Sequence, residues 1–406
     1  MSVEPTRPTG RPKIGLVLSA GGARGAYEVG VLRYIRERIK RETRFDIITG
    51  SSIGALNGSF IAATCNRPRA QGRALARIWN ELHLDNLLKF GWSQLRNLPQ
   101  LLLGRGLESA IVDPGGGLID PAAMQAMVRE RLPWRGITEN LRGGHLDALS
   151  CTATELATGI VTVFIQTREG SVPAHWRPAP HHAVRHTRIT AEHALASGAI
   201  PVLLPAVRVG GRLYADGGLR QNTPLRPAKH LGARRLLIIG LRHEPQDDEY
   251  ATMRHEMRDL VPSALFMLGK VLNVLLLEQV EHDLQRIERI NMLLRAGEEE
   301  FGPAFAERLS TRMGARRYDP IHTLLIRPSE DLGKIAWEVV NQGKLREHKG
   351  LAARVIRRTV QADSARQESD LASYLLFTPE YTRRLIELGY RDAERRHQDL
   401  LELFDC

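Results

Sequence analysis

Ser52 stands at the centre of Gly50-Ser51-Ser52-Ile53-Gly54, a GxSxG run. A serine in that setting can act as a nucleophile when a strand delivers it to a sharp turn that opens a helix, with small residues on either side. The flanking text meets the requirement: Phe45–Thr49 reads as a strand, and Ile53 to about Cys65 as a helix. Such a turn would lift the Ser52 hydroxyl clear of the carboxyl edge of a sheet, with the positive end of the helix beneath it. The plain alternative is a Gly/Ser turn that caps a helix and does nothing more.

Two more clusters bear on the same chemistry. Gly21-Gly22-Ala23-Arg24-Gly25 directly follows Ile14–Ser19, a short apolar run with the character of a buried strand. Glycines let backbone N–H groups come close to the oxyanion of a tetrahedral intermediate and point at it. A dinucleotide-binding loop is the rival reading. It would need glycine at position 20, where Ala20 stands, and an acid at the end of the second strand, whereas Asp46 lies near that strand's start. Asp216-Gly217-Gly218 follows a third short strand, Arg212–Ala215. A carboxylate held there could take the serine proton directly. The ordinary pKa of an aspartate, about 3.9, is low for a base near neutral pH, and burial would raise it. An Asp-Gly hairpin turn is the alternative. A Ser–acid–His triad competes as well, since His230 and His243 both follow Asp216, though neither sits in a recognisable strand-end loop. His145, His181, His182 and His186 lack a metal-binding spacing, so neither a metal nor a cofactor is expected.

As an ordered set these motifs resemble the patatin-like phospholipase family, related in catalytic core to the cytosolic phospholipases A2. The order is glycine-rich loop at 21–25, GxSxG at 50–54 and Asp-Gly-Gly at 216–218. Ala196-Ser197-Gly198-Ala199-Ile200-Pro201 and the continuation from Asp216 through Asn222 to Pro224 are similar to the family too, and the resemblance covers roughly 13–245. It implies a Ser–Asp dyad without histidine: Ser52 attacks an ester carbonyl, Asp216 is the base, and amides around Gly21, Gly22 and Gly25 hold the oxyanion. Arg24 occupies the family's basic position, where it would fix the loop or meet an anionic headgroup; a salt bridge at a helix start is the plainer role. Ala20 departs from the family's usual run of three glycines, which bears on the first oxyanion donor.

These side chains need a frame. Strand, tight turn, helix, strand, tight turn, helix is the βαβ pattern of a mostly parallel sheet. Further strands are expected at Ala148–Ala153, Ile160–Gln166, Leu236–Leu241 and Ile321–Ile326, with a loop or cap over 84–120. An amphipathic helical pattern runs over 251–296, broken near Pro262, and the text from Lys344 onward is helical. The expected fold is a three-layer α/β/α patatin-like domain with a mostly parallel central sheet and a helical C-terminal extension. Its parts are a flexible lead (1–12), the catalytic domain (13–245) and a mainly helical extension completing or flanking the core (246–406).

Composition narrows the function class. Of 406 residues, 43% are apolar, 25% charged and only 5% aromatic, which argues against a stacking platform for nucleic acid. The net charge of +11 favours anionic partners such as phospholipid headgroups, although most charges are interleaved as on a solvated surface. Three cysteines with no CxxC pair argue against a disulfide framework and suit a reducing cytoplasm. The N-terminus has no apolar core of a signal peptide, and the longest apolar stretch, Ala264 to Leu277, falls short of the roughly 20 residues that span a bilayer. The apolar density within 255–296 suits either a lipid-facing surface or a packed core helix. The expectation is a cytoplasmic lipid acyl hydrolase of the phospholipase A or lysophospholipase type, peripheral at an anionic membrane, with an unread oligomeric state. A neutral-lipid or polyester esterase on the same fold is the first alternative, and a non-catalytic lipid-binding scaffold the second.

Overall fold

The computed structural model describes residues 11–39, 43–87, 119–201, 203–245, 280–313, 318–343 and 369–405, with scattered positions between 267 and 273 and between 345 and 360. Among the described residues nine strands form one sheet: β1 (Ile14–Leu18), β2 (Ile47–Ser51), β3 (Ala148–Glu155), β4 (Val161–Thr167), β5 (His182–His186), β6 (Val207–Val209), β7 (Arg212–Asp216), β8 (Arg235–Ile239) and β9 (His322–Ile326). The order is β5-β4-β3-β2-β1-β8-β9, and β7 pairs with both β3 and β6. The central run β3-β2-β1-β8-β9 is parallel throughout. Antiparallel pairs join β4 and β7 to β3, and β6 to β7.

The parallel strands are apolar at successive positions because both faces of the sheet are covered. Alternate residues enter different cores. Leu16 and Leu18 of β1, Ile48 of β2 and Leu237 and Ile239 of β8 belong to one. Val17, Ile47, Leu236 and Ile238 belong to the other. The first core is closed by helices α1 (Ala26–Arg38), α2 (Ile53–Thr64) and α3 (Pro68–Asn80), and by helices from the far C-terminus. α4 (Ala191–Ser197) packs into two smaller clusters through Ala191, Leu195 and Ala196, and the second core is closed by the short helix α5 (Leu225–His230) and by α6 (Val280–Phe301), through Leu225, Ala228, Val280 and Ile287. Helix, sheet and helix make the three layers expected.

Residues beyond 246 contribute to both the sheet and its cover. β9 extends the sheet beyond β8. Helices α7 (Asp370–Leu375) and α8 (Pro379–Arg395) lie against the start of the chain. α8 begins with Pro379 in its first turn, where a missing N–H costs nothing, and buries Tyr381, Leu385, Leu388 and Ala393 on one face. It crosses α1 at backbone contact. A Cβ at Gly30 would fall 2.1 Å from the Ile386 carbonyl oxygen, and one at Gly389 would fall 2.2 Å from that of Tyr27. The expected loop or cap over 84–120 lies largely outside the described residues, as does the break near Pro262. Among the described residues no helix is long and apolar enough to cross a membrane.

Candidate active site

β1 and β2 run side by side with Leu18 opposite Gly50, so the loops that leave them emerge at the same edge. β2 continues to Ser51, two residues beyond the expected end, because Gly50 and Ser51 still pair with Cys151 and Thr152 of β3. The chain then turns at Ser52, which has φ 52° and ψ −124°. Positive φ in a residue with a side chain is strained by about 1–3 kcal/mol and is held by its surroundings. The flanking glycines permit the turn: a Cβ at Gly50 would meet the Gly54 carbonyl oxygen at 2.3 Å, and one at Gly54 would meet that of Leu18 at 2.6 Å. The motif's glycines are therefore demanded by space.

β7 pairs antiparallel with the end of β3, which sets Asp216 opposite Ala153. Ser52 Oγ donates to Asp216 Oδ2 at 2.6 Å, and the Gly218 N–H donates to Oδ1 at 2.6 Å. The aspartate is 0% exposed and the serine 3%. Burial pushes the Asp216 carboxyl up to about 7, against the downward pull of the hydrogen bonds from Ser52 and Gly218. A base that titrates near neutral pH is matched to proton transfer from a hydroxyl.

Ser197, in the Ala196–Pro201 stretch, supports the turn. Its hydroxyl accepts the Ser52 N–H at 2.8 Å and donates to the Thr152 carbonyl at 2.5 Å. The Ser52 N–H is thereby engaged in holding the turn. Gly22 has φ 57° and passes against the Tyr374 carbonyl, while Gly25 closes onto Ile53 at the start of α2. Ala20 is explained by its partner: its N–H donates to Asn222 Oδ1 at 2.9 Å, so the departure from glycine falls on an amide used for structure.

Arg24 is buried and turned into the protein. Its Nη2 meets Asp370 Oδ1 at 2.9 Å, its Nε donates to Ser373 Oγ at 2.7 Å, and its guanidinium lies 4.2 Å from the Tyr374 ring centroid. Lys270 reaches the other oxygen of Asp370 at 2.9 Å. These contacts tie the glycine loop to α7 through a buried salt bridge. Met267 and Val271, from the apolar stretch expected to pack or to face lipid, are 49% and 47% exposed.

The competing triad has no support in the geometry. His230 stacks on Trp176 with centroids 5.0 Å apart, and His243 Nδ1 lies 3.1 Å from the Pro328 carbonyl oxygen. Cysteine offers no rival nucleophile among the described residues, since burial pushes Cys65 up to about 11 and Cys151 up to about 12. Among the same residues no group of three or more His, Cys, Asp or Glu could hold a metal ion.

One residue went unread in the sequence. Glu28 is fully buried on α1; its Oε1 accepts the Ser19 N–H at 2.9 Å and its Oε2 accepts Asn57 Nδ2 at 2.8 Å. Asn57 in turn accepts from Trp79 Nε1 at 3.0 Å. The pair ties the entrance of the glycine loop to α2, the helix that Ser52 opens. Burial pushes Glu28 up to about 8, the hydrogen bonds from Asn57 and Ser19 opposing it. An acid inside the apolar run Ala26–Leu32 was the signal available.

A family model described as "Patatin-like phospholipase" matches residues 16–229. A patatin-like phospholipase domain-containing protein of Caenorhabditis elegans is 30% identical over 227 residues, covering 54% of this chain and 13% of that protein. An uncharacterized NTE family protein of Mycobacterium bovis is 26% identical, over 58% of this chain and 51% of its own. A cGAMP-activated phospholipase of Pseudomonas aeruginosa is 29% identical, over 52% of this chain and 53% of its own. The chain thus spans about half the length of the two bacterial relatives. Among solved structures, VipD from Legionella pneumophila aligns with 97% of this chain and 67% of its own, at TM-score 0.37 and 14% identity.

Proposed function

The chain belongs to the patatin-like phospholipase family, and from that premise we propose that it is a lipid acyl hydrolase, cleaving carboxylic esters through an acyl-serine intermediate with Ser52 as nucleophile and Asp216 as its base. The observation that carries the reading is the 2.6 Å hydrogen bond from Ser52 Oγ to a buried aspartate. As Ser52 Oγ attacks the ester carbonyl, its proton passes to Asp216 Oδ2. The carbonyl oxygen gains negative charge and is held by amides of the loop containing Gly21, Gly22 and Gly25. Collapse expels the alcohol, a lysolipid or glycerol-type fragment, which leaves with the proton from Asp216. Water then gives a proton to Asp216 and attacks the acyl carbonyl; the fatty acid departs and Ser52 recovers its proton.

The substrate reading is a phospholipid or lysophospholipid at an anionic surface, supported by the family and by the net charge of +11. Fatty acid release should be measured from vesicles of phosphatidylcholine, from the same vesicles carrying phosphatidylglycerol, and from triacylglycerol emulsions. The expected order is mixed anionic vesicles first and triacylglycerol last. Preference for triacylglycerol would move the assignment to a neutral-lipid esterase, and indifference to anionic lipid would remove the membrane-charge part.

Arg24 separates loop support from headgroup recognition. Arg24→Gln takes away one of the two cations paired with the buried Asp370 among the described residues and should cost about 3 kcal/mol, read as a lower thermal midpoint. Turnover of a soluble short-chain ester should fall by the same factor as turnover of phospholipid. A loss confined to phospholipid would instead place Arg24 at the headgroup.

A further inference from the structure

On the sheet face opposite α1 lies a cavity of about 460 Å³ between the β4–β5 edge, α5 and α6. Its volume is in the range, about 300–1,000 Å³, of sites for small molecules. Among the described residues, five Arg or Lys side chains and two Asp line it. Arg234 and Asp319 pair with each other at 2.9 Å, so four cations are left facing Asp283. Arg226 and Lys229 stand one turn apart on α5, both half-buried, and Arg286 faces them from α6. Among the described residues none of these three forms an ion pair with a carboxylate. Crowding like charges in a partly desolvated wall raises the energy of the empty site. Lys229 registers the effect: burial, then Arg286, Arg226 and Arg234, lower its pKa, and Asp283 only partly opposes them. His230 adds no charge near neutral pH, since burial and the neighbouring Lys229 bring it down to about 4.

The cavity also touches the chain that builds the Ser52 site. Gln221 and Leu225 are in its wall. They end the segment that starts at Asp216, and Asn222, next to Gln221, holds the Ala20 N–H at the entrance of the glycine loop. The buried Gln221 Oε1 has no hydrogen-bond partner among the described residues. A ligand that reorders Gln221 would thus act on both the base and the oxyanion loop.

We propose that this cavity binds a phosphate-bearing anion through Arg226, Lys229 and Arg286, and that its occupancy tunes turnover at Ser52. The binding half stands on the cavity alone; the tuning half rests on the hydrolase reading. Inorganic pyrophosphate is the soluble probe, and phosphatidylcholine vesicles with and without phosphatidylglycerol test a headgroup source. Pyrophosphate should raise the thermal midpoint of the wild-type protein, and the effect should vanish in the Arg226→Gln/Lys229→Gln double variant. Arg286→Gln, at the exposed rim, should weaken it at least tenfold in apparent affinity and guards against misfolding of the double variant. Arg73→Gln, on the other face of the sheet, should leave it unchanged. Pyrophosphate should also change turnover of a soluble ester by about fivefold or more, the scale of ordinary coupling between sites. If phosphatidylglycerol alone binds in a manner that depends on these three residues, the site stands with a lipid headgroup as its ligand. If neither probe depends on them, the site is refuted. Charge-dependent binding with unchanged ester turnover, in a protein that is an active esterase, refutes the tuning. An absence of all esterase activity instead refutes the hydrolase reading and leaves the binding result to stand on its own.

Discussion

Ser52→Ala should abolish labelling by a fluorescent fluorophosphonate and lower ester turnover by roughly 10⁴- to 10⁶-fold, the loss typical of a deleted serine nucleophile. The neighbouring Ser51 is the obvious substitute, and its position rules it out as one. Ser51 is 0% exposed and ends β2, and its Oγ lies 2.9 Å from where a Cβ on Gly217 would stand. No substrate carbonyl reaches it without displacing the Asp216 loop. The variant should still fold. Alanine carries the same Cβ as serine into the positive-φ turn, and the hydrogen bond from the Ser52 N–H to Ser197 does not involve the side chain. Removing the hydroxyl takes away one group that lowers the Asp216 pKa, so the carboxyl should be harder still to ionise. Labelling of Ser52→Ala at the wild-type level would put the nucleophile elsewhere. If the wild type fails to label in buffer, labelling on addition of phospholipid vesicles would identify a site that needs a lipid surface, and failure there too would leave an inactive relative of the family.

Which parts of this site can be read in a sequence depends on how local their causes are. GxSxG, the glycine loop and Asp-Gly-Gly are legible because each is a turn whose residue types are forced by close backbone contacts. Gly50 and Gly54 cannot carry a Cβ at all without striking a carbonyl. The parallel core strands are legible too, since burial on both faces leaves short, wholly apolar runs such as Ile14–Leu18. β5 is not legible because it lies at the sheet edge, and His182-Ala-Val-Arg-His186 is half-buried to exposed and reads as polar loop. The sequence ends β2 too early because Gly50 and Ser51 look like turn residues, yet they still pair with β3. The partners of Arg24 were out of reach for another reason. Asp370 lies 346 residues away, and no spacing rule connects a loop to a helix at that distance. Glu28 falls between these cases. Its place in an apolar run is visible, but the two partners that make it structural, Ser19 and Asn57, come together only once α1 and α2 are packed.

Asp216→Asn should lower turnover by roughly 10³- to 10⁴-fold while making the folded protein more resistant to unfolding at alkaline pH, and the combination distinguishes a base from a structural carboxylate. With the carboxyl pushed up to about 7 by burial, wild-type turnover should rise with pH through that region and then level off as the base ionises. The asparagine variant should show no such rise. Stability moves the opposite way. The unfolded aspartate loses its proton near its ordinary pKa of 3.8, whereas the folded one keeps it to about 7. Between those values the folded state holds the extra proton, so stability declines as pH increases across the window and the decline is complete above the folded pKa. At about 1.36 kcal/mol per pKa unit, this costs the wild type roughly 4 kcal/mol at pH 8 relative to pH 4. Asparagine is neutral at both pH values. It can accept the Gly218 N–H through its carbonyl and donate its amide to Ser52 Oγ, and so it escapes the decline. Glu28, also raised by burial, has the same sign of effect, but it is present in both proteins and cancels in the comparison. Urea unfolding at pH 4 and pH 8 therefore decides the matter. A variant equal to wild type at pH 4 and more stable at pH 8, with turnover lost at both, is what a buried proton acceptor requires. A variant less stable at both would mean that the Asp216 carboxylate is held ionised to support the fold, and the dyad would lose its base.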